Sequence, residues 1–253
     1  MKLNTVVAGD GPPVALLHGL FGRAQNLAAL ARRLSPHARV ISLDLRNHGA
    51  SPHAPGMGYE ALAADVMETL AALNALPVAL LGHSMGGKAA MAAALLAPEQ
   101  VTRLLVADIA PIAYAHHNAG VAAAMEALTL HPGLTRAEAS AALEPAVPDA
   151  TVRAFLLQNL SFSPPAWRIG VAEIASDIAA IESWPALPGA AFDGPSLFVR
   201  GARSDYVQDA DLPAITVLFP RAELVTVQDA GHWLHADQAK VFGDIAEAFL
   251  LGS

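Results

Sequence analysis

Val78-Ala-Leu-Leu-Gly-His-Ser-Met-Gly-Gly-Lys88 is an apolar run that breaks at a glycine–serine–glycine turn and continues into the alanine- and leucine-rich stretch Met85–Ala97. A short unbroken apolar run bounded by glycine predicts a strand covered on both faces. The stretch after it predicts a helix that stops before Pro98. At their junction Gly82-His83-Ser84-Met85-Gly86 fits G-x-S-x-G. A turn that tight leaves no room for side chains two positions either side of the serine, and its strain pushes the Ser84 hydroxyl into the open. The N-terminal N–H groups and dipole of the following helix then face any negative charge that develops beside that hydroxyl. The competing reading is a chance match, with Ser84 a plain helix cap; the surrounding pattern decides between the two.

Outward from this turn the same rhythm recurs. Val14–Leu17 ends at His18-Gly19 before a helix pattern at about Asn26–Leu34, and Arg39–Leu43 ends at Asp44 before Tyr59–Leu73. Leu104–Ala107 ends at Asp108. Ser196–Arg200 and Glu223–Val227 read as the last strands, Ala210–Leu218 and Gln238–Leu250 as the last helices. Strands alternating with helices predict an α/β fold, a mostly parallel sheet with helices on both faces and ligands bound beyond the carboxyl ends of the strands. Between 112 and 188 the rhythm breaks. His131-Pro132-Gly133 and Ser163-Pro164-Pro165 interrupt several helical stretches, with no convincing strand. Residues 112–188 are therefore expected to form a helical cap inserted into one core made of 1–111 and 189–253.

Composition closes off whole classes. Of 253 residues, 54% are apolar and 15% charged, enough to bury a large core and too few charges for a disordered chain. A net charge of −8 with no basic cluster argues against nucleic acid. With no cysteine, thiolate nucleophiles, disulfides and Cys-ligated metal centres are excluded. Met1–Thr5 lacks the apolar region of a secretory signal, and the longest apolar stretch, Ala89–Ala97, is about half of what a membrane helix needs. The expectation is a soluble, cytoplasmic protein without a membrane span, a monomer or small homo-oligomer.

A serine nucleophile needs a base, an acid to orient it and donors for an oxyanion. His232, in Asp229-Ala230-Gly231-His232-Trp233 past the last strand, stands where the base is required. The carboxylate is open between Asp108, after the strand that follows the nucleophile helix, and Asp205, after the next strand but before His232. Backbone N–H groups of Met85 and of Leu20 in His18-Gly-Leu-Phe-Gly22, with Phe21 in reserve, are the candidate donors. His18 and His83 are expected to bond to nearby backbone. His235 could pair with His232 on a metal, but no third ligand lies at a matching interval. His116-His117 are expected to be solvated or to line the mouth of a pocket. Phe21, His83, Phe155, Asn159, Leu160, Trp167, Trp184 and Trp233 are the candidate pocket residues, though most cap aromatics should form the cap's own small core. Asn159 and Arg168 are the polar cap residues that could meet a leaving group.

His18-Gly-Leu-Phe-Gly22, Asp44-Leu-Arg-Asn-His-Gly49, Gly82-His-Ser-Met-Gly-Gly-Lys88, Asp108-Ile-Ala-Pro111 and Ala230-Gly-His-Trp233 together resemble the α/β-hydrolase superfamily and, within it, the YbfF-like, abhydrolase-domain serine esterases. The resemblance runs over nearly the whole chain and loosens only in the cap. It implies a serine esterase or thioesterase without an obligatory cofactor or metal, acting on small acyl esters of short to medium chain or on acyl-CoA. It also favours Asp108, because YbfF-like proteins place their acid in the Asp-Ile-Ala-Pro segment, while Asp205 keeps the alternative alive. Arg46, Arg153 and Arg168 are the basic groups near the cap that could meet a CoA phosphate. The same three residues could instead serve C–C bond hydrolysis, a lyase reaction or cofactor-free haloperoxidation, or survive as a vestige in a ligand-binding module. A nucleotide-binding fold is set aside because His18–Arg23 contains no G-x-G-x-x-G.

Overall fold

The apolar runs become strands because both of their faces are covered. The computed structural model describes residues 1–115 and 118–252; the expectation for His116-His117 lies outside them. In chain order the strands are β1 (Thr5–Ala8), β2 (Pro13–Leu17), β3 (Arg39–Leu43), β4 (Val78–His83), β5 (Val101–Ala107), β6 (Leu160–Phe162), β7 (Pro165–Trp167), β8 (Ser196–Gly201) and β9 (Ala222–Val227). Seven form one sheet in the order β1-β3-β2-β4-β5-β8-β9, parallel except for β1, which pairs antiparallel with β3 at the edge. Leu80 and Leu81, neighbours on β4, enter different cores on opposite faces of the sheet.

Helices α1 (Ala28–Leu34), α2 (Tyr59–Ala72) and α3 (Met85–Leu96) follow the first strands. The segment between β5 and β8 carries α4 (Asn118–Ala127), α5 (Arg136–Leu143), α6 (Ala150–Leu156), α7 (Val171–Ser176) and α8 (Ile178–Glu182). The chain closes with α9 (Leu212–Leu218), α10 (Leu234–Asp237) and α11 (Ala239–Leu251). α2 and α3 cover one face of the sheet; α1 and α11 cover the other through Leu30, Leu34, Phe242 and Leu250.

One expectation needs correction, and one strand went unread. The inserted segment contains a strand pair after all: β6 and β7 form an antiparallel hairpin across Ser163-Pro164. β1 also escaped the sequence reading, because its valines Val6 and Val7 are 58% and 44% exposed and give the edge no buried stripe. The inserted segment is fastened to the rest by polar contacts. Asn159 Nδ2 donates to Phe21 O at 2.7 Å, Gly170 N–H to Asn47 O at 2.8 Å, and Tyr59 OH to Ile181 O.

Candidate active site

Parallel strands all point their carboxyl ends at one rim, so the residues that follow β2, β4, β5, β8 and β9 meet there. The turn after β4 is the tightest. Ser84 sits at φ 54°, ψ −123°, a conformation that side chains rarely tolerate, held by its N–H to Ala107 O at 3.0 Å. A Cβ at Gly82 would lie 2.1 Å from Gly86 O, and one at Gly86 2.4 Å from His18 O. Both glycines are therefore obligatory for this path. Ser84 itself is half-buried and opens α3.

His232 arrives from the loop after β9. Its Nε2 lies 3.0 Å from Ser84 Oγ, and its Nδ1 lies 2.7 Å from Asp108 Oδ2. A carboxylate only accepts, so Nδ1–H donates to Asp108 and Nε2 is left to accept the Ser84 proton. Asp108 is fully buried, yet its oxygens are satisfied: Gly201 N–H donates to Oδ1 at 3.0 Å, and the Ser204 hydroxyl donates to Oδ2. Asp205, the alternative acid, is exposed and makes no bond to His232. The geometry thus brings Ser84, His232 and Asp108 together and leaves Asp205 out.

The loop after β2 approaches Ser84 from the other side. Phe21 N–H donates to His48 Nε2 at 3.0 Å, so it is already committed and drops out as a reserve oxyanion donor. Met85 N–H stands in the first turn of α3, where no intrahelical acceptor exists. Leu20 N–H, its neighbour in the loop, has no acceptor among the described residues. His48 in turn places Nδ1 2.8 Å from Arg46 O, which fixes its tautomer.

Four further imidazoles crowd this rim, and burial holds each of them neutral. It pushes His48 down to about 3 and His235 down to about 4. His18 is lowered for the same reason, and His83 well below its ordinary range, with His235 and His232 adding to the effect. His18 bonds Gly19 O and accepts from Leu45 N–H, and His83 Nε2–H donates to His232 O at 2.8 Å, the backbone-fixing roles expected of them. Among the described residues no group of His, Asp and Glu is disposed to hold a metal ion.

Beside Ser84 opens a cavity of about 700 Å³, apolar over most of its wall. Of the candidate pocket residues, Phe21, His83, Phe155 and Trp233 line it. Asn159, Leu160, Trp167 and Trp184 do not. Asn159 is spent on Phe21 O, and Leu160 is buried in the core. Trp167 Nε1–H donates to Met125 O at 3.1 Å, and Trp184 packs on Tyr59. Trp167 serves packing within the inserted segment, while Asn159 and Trp184 fasten it to Phe21 and Tyr59 of the rest. Ile109, Val121, Val152 and Ile181 supply apolar wall in their place. Of the three arginines, Arg46 is bound to Asp65 at 2.6 Å and Arg153 to Val147 O, Pro148 O and Glu144, while Arg168 is exposed away from the cavity.

Several residues that shape the site went unread in the sequence. Ser204 and Gly201 feed Asp108, and His48 holds the loop of Leu20. The ring of Tyr206 lies on His232 at 3.8 Å between centroids, with 16° between planes. Tyr114 OH receives Ala110 N–H and donates to Tyr206 O. Ser204 adjoins Asp205, the alternative acid, in a loop read in the sequence for its carboxylate alone.

The family model described as the alpha/beta hydrolase fold matches residues 12–239. A mouse (Mus musculus) protein named sn-1-specific diacylglycerol lipase ABHD11 is 38% identical over 252 residues, covering 94% of this chain and 81% of the relative. Esterase YbfF of Escherichia coli K12 is 37% identical over 230 residues, 90% of this chain and 89% of the relative. A solved structure titled marine microorganism esterase superposes with a TM-score of 0.94 at 36% identity, covering 99% of this chain and 100% of that one. No helix among the described residues is long and apolar enough to cross a membrane.

Proposed function

The chain belongs to the α/β-hydrolase family and is an ester hydrolase, and on that premise we propose that it cleaves short- to medium-chain acyl esters through an acyl-enzyme on Ser84. The reading is carried by one observation: Asp108, His232 and Ser84 are linked at 2.7 and 3.0 Å at the wall of an apolar cavity of about 700 Å³. His232 takes the Ser84 proton as Oγ attacks the ester carbonyl. Met85 and Leu20 N–H groups receive the oxyanion. His232 then protonates the leaving alcohol, and in the second half it activates the water that frees the acid. Asp108 keeps the imidazole in the right tautomer and balances its positive charge.

Residues 112–188 act as the cap of this site, since Tyr114, Val121, Phe155 and Ile181 wall the cavity from above the rim. The apolar wall favours an alkyl acyl group. The commitment of Arg46 and Arg153 to protein partners supports simple esters over CoA thioesters: among the described residues the cation lining the cavity is Lys88, itself bonded to Ser183 O and Glu182 O. The test is a series of p-nitrophenyl esters of rising chain length, run with Ser84→Ala and with a fluorophosphonate probe. Ser84→Ala should lower kcat by about 10⁴-fold or more and abolish labelling. An active Ser84→Ala enzyme would refute the mechanism.

A further inference from the structure

Among the described residues, the most closely stacked ring pair of the site joins Tyr206, in the loop after β8, to His232, in the loop after β9. Tyr206 lies against His232 at 3.8 Å and 16°, whereas His83 meets His232 at 4.8 Å and 43°, tilted. We propose that Tyr206 is a positioning residue for the reaction: its ring holds the imidazole of His232 in the plane that reaches Asp108 and Ser84 at once, and its π face stabilises the imidazolium formed as Ser84 loses its proton. This rests on the reading of His232 as the base.

Three observations support it. First, the ring is braced. Tyr206 N–H donates to Ser204 Oγ at 3.3 Å, and Tyr206 O accepts from Tyr114 OH, so the backbone either side of the ring is held. Second, the brace is shared with the acid, because the Ser204 hydroxyl that accepts from Tyr206 N–H donates to Asp108 Oδ2. One short loop thereby fixes both the carboxylate and the face of the imidazole. Third, the charge pattern leaves this task to the ring. Among the described residues, the groups facing His232 are the Asp108 carboxylate, the Ser84 hydroxyl, the neutral imidazoles of His83 and His235, and Tyr206. Asp108 meets the ring edge at Nδ1, and among these groups Tyr206 is the one stacked on its face. A π face attracts a cation and is nearly indifferent to a neutral ring, so the contact strengthens as the imidazolium forms.

The experiment replaces the ring without changing its shape. Full-length enzyme with Tyr206→Phe is compared with the same position filled by pentafluorophenylalanine, whose face repels cations, and with Tyr206→Leu. The readouts are kcat, KM and the acid limb of the kcat/KM–pH profile on p-nitrophenyl butyrate. Tyr206→Phe keeps the aromatic face and is the reference against which the other two variants are read. The perfluorinated ring and Tyr206→Leu should each lose roughly tenfold in kcat with little change in KM, and their acid limb should move to lower pH. The perfluorinated ring decides the matter if Tyr206→Leu does not fold. Equal kcat and an unmoved acid limb for the two ring variants would overturn the proposal, as would a loss confined to KM. Ser84→Ala separates the two readings: if it is inactive while the perfluorinated enzyme is unimpaired, this inference fails alone, and if it is active the underlying mechanism fails.

Discussion

Asp108 accepts from Gly201 N–H, the Ser204 hydroxyl and His232 Nδ1–H while fully buried, and a carboxylate so surrounded has one orientation available. An amide there would present an NH₂ to one of these donors and force His232 into the other tautomer, with its proton facing Ser84. Asp108→Asn should lower kcat by about 10⁴-fold, and Asp205→Asn should stay near the original rate; both are read from steady-state kinetics on one ester. A large loss confined to Asp205→Asn would reverse the assignment. Ser84 and His232 could be read from the chain because their signals are local: a turn between strand and helix, and a histidine past the last strand. The acid could not. Asp108 and Asp205 both follow strands that open on the same rim, and what separates them is donors lying 93 and 96 residues from Asp108 in the chain.

Among the elements, α8 shows how a buried charge can serve packing. Its last carbonyls point at α3, where Lys88 Nζ donates to Ser183 O at 2.7 Å and Glu182 O at 3.3 Å, with the rings of Tyr59 and Tyr114 beside it. A cation or N–H donor at a helix C-terminus satisfies carbonyls that the helix cannot. Burial pushes Lys88 down from 10.5 to about 7. The neutral amine still has two N–H groups for the two carbonyls. Between about 7 and 10.5 the unfolded chain holds a proton that the folded one has released, so this group's contribution to stability grows as pH rises through that window and is lost as pH falls back through about 7. Lys88→Met should remove that slope: urea unfolding near neutrality and at about pH 9 should show the difference between the two proteins widening in favour of lysine. A difference independent of pH would contradict it. Most elements of the core were legible for the reason that made them form, continuous apolar runs and 3.6-residue patterns. The β6–β7 hairpin was not, because strands of three residues around Ser163-Pro164-Pro165 carry too little pattern to stand out.

Across the whole molecule, the cavity exists only where the inserted segment meets the rim, with walls drawn from β-strand ends and from α4, α6 and α8. Its outline was therefore beyond sequence reading: which aromatic faces the void and which packs inward is settled by contacts between distant parts of the chain, as Trp167 on Met125 and Trp184 on Tyr59 show. Tyr114 joins these parts. Its N–H donates to Glu182 O at 2.8 Å, and its hydroxyl links Ala110 to Tyr206. An ester too bulky for the space would have to displace the roof, and the hydrogen bonds of Tyr114 would carry that displacement to Tyr206 beside the base. Oversized substrates should accordingly be rejected by slower turnover, with kcat falling as acyl volume grows while KM changes little, and Tyr114→Phe should flatten that dependence; size discrimination carried by KM alone would exclude it. On that outcome the size of the guest would be read by the part that does the work, as a latch jams when the door is ajar.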